Sequence, residues 1–268
     1  MSGMFTTFAA LLDGATCAVT PAMMGPIDIM DAVEKYKATA ALLFPSQLQG
    51  LVREMQRTGR VLPSMRSIVV GGSVLPTSVA EAARQAFASI ENLMNTYGMT
   101  ESCGIVTSQL KTGKPHTGTD VGVPGAMVEV KVVDVVTGRK LGPHQTGEIC
   151  YRNFSAVKSY YKRPTETAEL FDKEGWCKSG DAGYYDEDGR FYIVDRLKQM
   201  IKCMGNQVVP AELEELLLRE HGTEIAEVSV VGIPDSKLGE APAAAVVLTE
   251  KGRMCDRQRV AQSIKDTV

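Results

Sequence analysis

Ile68-Val69-Val70-Gly71-Gly72-Ser73 is the stretch that decides the fold. Three apolar residues running straight into two glycines read as a short buried strand whose C-terminal end stays open to a ligand. A helix is expected next from Pro76 to Ala88, then a strand at Asn92-Leu93-Met94. On the N-terminal side, Ala40-Ala41-Leu42-Leu43-Phe44 is a second apolar run, closed by Pro45, and a helix follows through Leu48, Leu51, Val52 and Met55. Ile29, Met30, Val33 and Tyr36 repeat at helical spacing between Asp28 and Lys37, with Asp28 as the N-cap candidate. Strand, crossover helix, strand is the pattern of a parallel sheet covered by helices.

Downstream the pattern changes. Met127 to Val133 and Glu148 to Tyr151 read as strands around the turn Thr137-Gly138, and Gly183 to Val194 reads as a hairpin through Asp186-Glu187-Asp188-Gly189. After Asp195 a small α/β unit starts: a helix from Pro210, strands at Val228–Val231 and Ala243–Leu248, and a last helix from Arg257. The expected fold class is α/β with an antiparallel β segment, divided into residues 1–195 and a smaller unit of residues 196–268. Apolar Met1–Val19, broken by Asp13 and Gly14, reads as a core helix followed by a strand, entered abruptly, without the basic start and cleavage site of a signal peptide. The last residues stop inside a helical pattern, so both ends look cut.

Composition narrows the class. The chain has 268 residues with 29 Lys+Arg against 32 Asp+Glu, net charge −3, which argues against a protein held to nucleic acid by phosphate contacts. Hydrophobic residues at 44% and charged residues at 23% exclude a disordered or fibrous chain. No apolar run approaches the ~20 residues a transmembrane helix needs. The cysteines at 17, 103, 150, 177, 203 and 255 have no metal-ligand spacing and read as buried free thiols of a reducing compartment. His116, His144 and His221 read as solvated or locally hydrogen-bonded imidazoles.

Four clusters carry chemistry-bearing residues. Gly71-Gly72-Ser73 ends a strand where open α/β sheets bind ligands, although a tight turn explains it equally well. Tyr97-Gly98-Met99-Thr100-Glu101 also follows a buried strand and offers an aromatic face, a hydroxyl and a carboxylate suited to a hard cation. Asp181, in Ser179-Gly180-Asp181, has the chemistry to accept from two ribose hydroxyls, with Arg196 for an oxygen nearby; a surface salt bridge is the commoner fate of such a pair. Lys198 to Gly205 is a basic segment at the expected boundary, where a hinge would sit. Lys111–Thr119 has phosphate-loop composition but lies between β segments, so it is read as a surface loop.

With Asp195-Arg196-Leu197-Lys198-Gln199-Met200-Ile201-Lys202, Glu166-Thr167-Ala168 before Gly175-Trp176, and Pro210-Ala211-Glu212-Leu213-Glu214, these clusters fall in an order that resembles the adenylate-forming (AMP-binding) superfamily. Within it the chain resembles the 4-coumarate–CoA ligase and beetle luciferase branch of acyl-CoA synthetases, over essentially its whole length. The resemblance implies part of a large adenylate-forming domain followed by a small α+β C-terminal domain. It implies ATP, Mg²⁺ and coenzyme A, and a small, mostly apolar carboxylic acid as substrate. Gly71, Gly72 and Ser73 would line the adenine and acyl site, with Phe44, Met99, Ser102, Cys103 and Gly104 near the acyl chain. Tyr97 would stack on adenine, Thr100 would bind the α-phosphate and Glu101 would hold Mg²⁺. Asp181 would take the ribose hydroxyls with Arg196 beside it; Lys198 would mark the hinge, and Lys202 to Gly205 would enter the site for thioester formation.

The family's Ser/Thr/Gly-rich phosphate loop, its aromatic or histidine residue at the carboxylate site and its adenylating lysine find no counterpart between Met1 and Val268. The expectation is therefore a chain truncated at both ends that adenylates poorly or not at all. Two other readings stand beside the ligase: a luciferin-type monooxygenase, and a non-catalytic nucleotide- or acyl-binding relic. An intracellular place, peroxisome or cytoplasm, is expected.

Overall fold

A computed structural model describes residues 10–19, 24–109, 119–204 and 206–268. The expected N-terminal helix falls largely outside the described residues, as do His116, nearly all of the Lys111–Thr119 loop, and Gly205; residues 15–19, where a strand is expected next, are described and form none.

The parallel sheet forms as expected. Strands β1 (Ala40–Leu43), β2 (Ser67–Val70) and β3 (Asn92–Met99) lie side by side, with Ala40 opposite Ser67 and Ser67 opposite Asn92. Strands β4 (Gly104–Ser108) and β5 (Val123–Pro124) add antiparallel on the far side of β3. Helices α1 (Pro26–Tyr36), α2 (Pro45–Thr58) and α3 (Thr77–Ala86) supply Met30, Leu48, Leu51, Met55, Val79 and Ala83 to one apolar cluster with Ile68 and Val70. Burying each of these side chains except that of Ala83 stabilises the fold by roughly 1.5–3 kcal/mol. Asp28 does not occupy the N-cap: the helix starts two residues earlier at Pro26, and Asp28 reaches back to accept from the Gly25 N–H at 3.0 Å. Proline at the first helical position, with φ preset, moves the start upstream.

A second sheet, in the order β6 (Glu129–Val133), β7 (Gly147–Arg152), β8 (Cys177–Tyr185) and β9 (Phe191–Arg196), is the expected antiparallel segment, and helix α4 (Pro164–Leu170) lies between β7 and β8 in the chain. A third has the order β11 (Asn206–Val208), β10 (Ile201–Cys203), β13 (Gly239–Leu248) and β12 (Ile225–Asp235). Helices α5 (Pro210–His221) and α7 (Arg257–Thr267) pack with it through Leu217, Ile225, Val260 and Ile264, and a short α6 (Glu250–Arg253) precedes α7. Strands β12 and β13 pair over nearly their full lengths, far beyond the runs expected from apolar residues alone. Two compact units result: Met1–Ser179 with Gly183–Ile193, and Gly180–Ala182 with Val194–Val268.

Among the described residues no helix is long and apolar enough to cross a membrane. The six cysteines are outside any disulfide; Cys150 and Cys177 are buried, but Cys103 is exposed, contrary to the expectation that they are buried as a set. Two imidazoles are locally bonded, His144 to Glu187 and His221 to Thr267, each at 2.7 Å.

Candidate active site

The turn after β2 presses its backbone against both neighbours. The Gly71 N–H donates to the Leu43 carbonyl at 3.3 Å, and a Cβ on Gly71 would stand 3.0 Å from the Thr96 carbonyl oxygen of β3. Gly72 has φ +93°, and a Cβ there would lie 2.6 Å from Cε1 of Phe44, whose ring is half exposed. Two glycines are thus needed at this strand end for close approach and for backbone conformation. Ser73 is exposed beside them.

Tyr97, Gly98 and Met99 do not form a loop after the strand. They are its last residues, paired with Thr107, Ile105 and Gly104 of β4. The pairing extends β3 because Gly98 admits β4 at backbone contact: a side chain there would overlap the Gly104 carbonyl. Tyr97 is half-buried and packs against two apolar clusters, one built on Val106, Tyr151 and Cys177 and the other on Val121, Val132 and Ile149.

Thr100 and Glu101 occupy the turn between β3 and β4. The Ser102 hydroxyl, fully buried, accepts from the Met99 N–H at 3.2 Å, and its one proton is shared between the carbonyls of Gly104 at 2.6 Å and Met99 at 2.8 Å. Ser102 therefore holds the turn that carries Thr100 and Glu101. Its own carbonyl accepts from Asn153 Nδ2 at 3.0 Å and Ser155 Oγ at 2.9 Å, and the Glu101 carbonyl accepts from the Val157 N–H at 2.8 Å. The Tyr160 phenol donates to Glu101 Oε1 at 2.7 Å. Burial, and next the Glu101 carboxylate, push that phenol up to about 12, so it remains a donor at neutral pH. Burial raises the Cys177 thiol of the same cluster as well.

The second group lies in the C-terminal unit. Ser179-Gly180-Asp181 lies within β8. Asp181 is buried, and the Arg196 guanidinium, largely exposed, meets its Oδ1 at 2.8 Å through Nε. The Leu197 N–H donates to the Gly180 carbonyl at 2.9 Å, so the chain beyond β9 is tied to this pair. Lys198 is exposed in the following turn. The segment expected as a basic loop is a hairpin, β10 with β11, in which Ile201 faces Val208 and is buried. Lys202 is exposed on β10, and its N–H donates to Glu240 Oε2 at 2.7 Å.

The structure thus brings Thr100 and Glu101 onto one braced turn, sets Gly71 against Thr96 on the neighbouring strand, and joins Asp181 to Arg196. Tyr160, Asn153, Ser155 and Glu240 are absent from the sequence reading. Tyr160 stands 59 positions from Glu101 in the chain, and nothing local marks that contact. Only Thr167, within the quoted Glu166-Thr167-Ala168, pointed there: its Oγ1 accepts from the Tyr160 N–H at 3.0 Å.

The chain belongs to the AMP-binding enzyme family, whose model matches residues 1–161, and residues 212–268 match the AMP-binding enzyme C-terminal domain. It is 35% identical to a luciferin 4-monooxygenase of Photuris pensylvanica, over 99% of this chain and 48% of that protein. It is 38% identical to peroxisomal OPC-8:0-CoA ligase 1 of Arabidopsis thaliana, over 82% of this chain and 40% of that protein. The fold matches the Bacillus subtilis o-succinylbenzoate CoA synthetase, solved with its acyl-adenylate intermediate, at TM-score 0.79 and 28% identity, covering 100% of this chain and 52% of that one. The chain spans about half the length of the curated relatives it matches.

Proposed function

We propose that this protein serves an ATP-dependent carboxylate–CoA ligase that makes an acyl-adenylate and then an acyl-CoA. In the first step a carboxylate oxygen attacks the α-phosphorus of ATP and the bond to pyrophosphate breaks. In the second, the coenzyme A sulfur attacks the acyl carbon, its proton passes to solvent, and AMP leaves. The observation that carries this reading is the Thr100–Glu101 turn at the end of a parallel strand, with the Glu101 carboxylate held by Tyr160 at 2.7 Å.

Thr100 donates to the α-phosphate, where negative charge builds, and fixed donors of this kind supply much of the catalysis. Among the described residues no three His, Cys, Asp or Glu side chains gather into a closed metal cage. Glu101, with one carboxylate oxygen spent on Tyr160 and the other left over, suits Mg²⁺, which keeps water and phosphate ligands and needs only one or two carboxylates. Bound there, Mg²⁺ would offset charge on the phosphate oxygens. Tyr97 offers its ring to adenine, and Gly71, Gly72 and Ser73 line the adenine and acyl site. Asp181 takes the ribose hydroxyls beside Arg196. Residues 1–195 serve as part of the nucleotide-binding domain and 196–268 as the small domain, with Lys198 at the joint and Lys202 and Gly205 in the segment that assists thioester formation. The acid is small and mostly apolar, and the protein works in the peroxisome or cytoplasm, which cell fractionation decides.

Carboxylate-dependent ATP–pyrophosphate exchange, run beside thioester formation from a synthetic acyl-adenylate, tests the reading. Either activity, lowered at least tenfold in Glu101→Ala for exchange or in Asp181→Ala for thioester formation, supports it. Neither activity across a series of acids, with folding intact, leaves only a binding protein. The 35% identity to a luciferin 4-monooxygenase favours a second reading, oxidation of an adenylate by O₂. Photon counting with luciferin, ATP and Mg²⁺ separates the two: light well above the blank supports oxidation.

A further inference from the structure

We propose that Tyr160 is a positioning residue that fixes the Glu101 carboxylate for its divalent cation, an inference that rests on the metal role given to Glu101 above. A glutamate on a turn has three side-chain torsions to lose when it binds a cation. Here one oxygen is already held by the Tyr160 phenol at 2.7 Å, which leaves Oε2 in a fixed direction. Preorganisation of this kind raises affinity without adding a ligand.

The hold is built from both ends. On the Glu101 side, the backbone is fixed by Val157 N–H on its carbonyl at 2.8 Å, and the next residue by Asn153 and Ser155 on the Ser102 carbonyl at 3.0 and 2.9 Å. On the Tyr160 side, the N–H donates to Thr167 Oγ1 at 3.0 Å, and that hydroxyl donates to the Arg163 carbonyl at 2.6 Å, inside α4 and its approach. The ring packs against the cluster of Val106, Tyr151, Leu170 and Cys177. A phenol so anchored is set before any ligand arrives. It also restrains the carboxylate through a neutral donor, so the charge of Glu101 stays available to the cation. An arginine in its place would compete for that charge.

The test uses Mn²⁺ as a paramagnetic probe, titrated into the protein with ATP and read by the loss of the free-ion electron paramagnetic resonance signal. Tyr160→Phe, which keeps the ring, should raise the apparent Mn²⁺ dissociation constant about tenfold, the effect of one hydrogen bond to a charged group. AMP affinity without metal should stay within about twofold, a split that a merely structural loss would not produce. Thr167→Ala, which frees the Tyr160 backbone and keeps the phenol, should give a smaller rise in the same direction and serves where Tyr160→Phe folds poorly. Unchanged Mn²⁺ affinity in both variants, with Glu101→Gln still weakening it, overturns the positioning role alone. Unchanged affinity in Glu101→Gln overturns the metal role of Glu101 instead.

Discussion

Arg196 Nε lies 2.8 Å from Oδ1 of Asp181, a buried carboxylate met by an exposed guanidinium. Truncating the arginine leaves the carboxylate buried without its cation, which is costlier than losing an exposed pair. Arg196→Ala should therefore destabilise the C-terminal unit by about 1–3 kcal/mol, measured by urea unfolding. Arg196→Lys should recover part of that loss, since it restores the charge but not the planar fork.

Ser102 ties the Met99 N–H to the carbonyls of Met99 and Gly104 inside the turn that carries Thr100 and Glu101. Ser102→Ala leaves partly buried carbonyls and an N–H short of a partner, at a cost of about 1–3 kcal/mol. Thermal unfolding should show the loss, and nucleotide binding should weaken with it. An unchanged unfolding midpoint would contradict the role assigned to the hydroxyl.

The two glycine sites should differ in kind. Gly98→Ala meets backbone of β4, which has nowhere to go, and should impair folding outright. Gly72→Ala meets only the Phe44 ring, at 2.6 Å from Cε1, plus the strain of φ +93°. Phe44→Ala added to Gly72→Ala should recover the clash and leave the backbone strain of about 1–2 kcal/mol, which a double-mutant cycle in denaturant isolates.

Burial pushes the Cys150 thiol from its ordinary 9.0 up to about 12. Below pH 9 both folded and unfolded chains keep the proton, so this group gives no pH dependence. Between about 9 and 12 the unfolded chain loses the proton while the folded chain holds it, and stability falls as pH rises. Unfolding free energy measured from pH 8 to 11 should decline, and less steeply in Cys150→Ala. At pH 8, exposed Cys103 should react with a thiol reagent before Cys150 and Cys177 do.

The parallel sheet was legible because Ile68–Val70 and Ala40–Phe44 are short apolar runs closed by glycine or proline, signals that act locally. Strand ends were less so. Tyr97–Met99 continue β3 because pairing with the next strand, Met99 opposite Gly104, overrides a glycine that looks like a loop residue. The β10–β11 hairpin escaped because only Ile201 and Val208, in a basic stretch, mark its apolar face. At the site, Thr100, Glu101, Asp181 and Arg196 stood out by residue type and order. The residues that hold them, Ser102, Asn153, Ser155 and Tyr160, act through contacts made in three dimensions and carry no signature of their own.

Thioester formation bears most directly on the proposed ligase chemistry. A synthetic apolar acyl-adenylate and coenzyme A, incubated with the protein and resolved by liquid chromatography, should yield acyl-CoA and AMP in equal amounts well above the protein-free rate. Asp181→Ala should lower that rate at least tenfold. No acceleration over the blank across a range of acyl chain lengths, from a protein that unfolds cooperatively, would contradict the ligase reading.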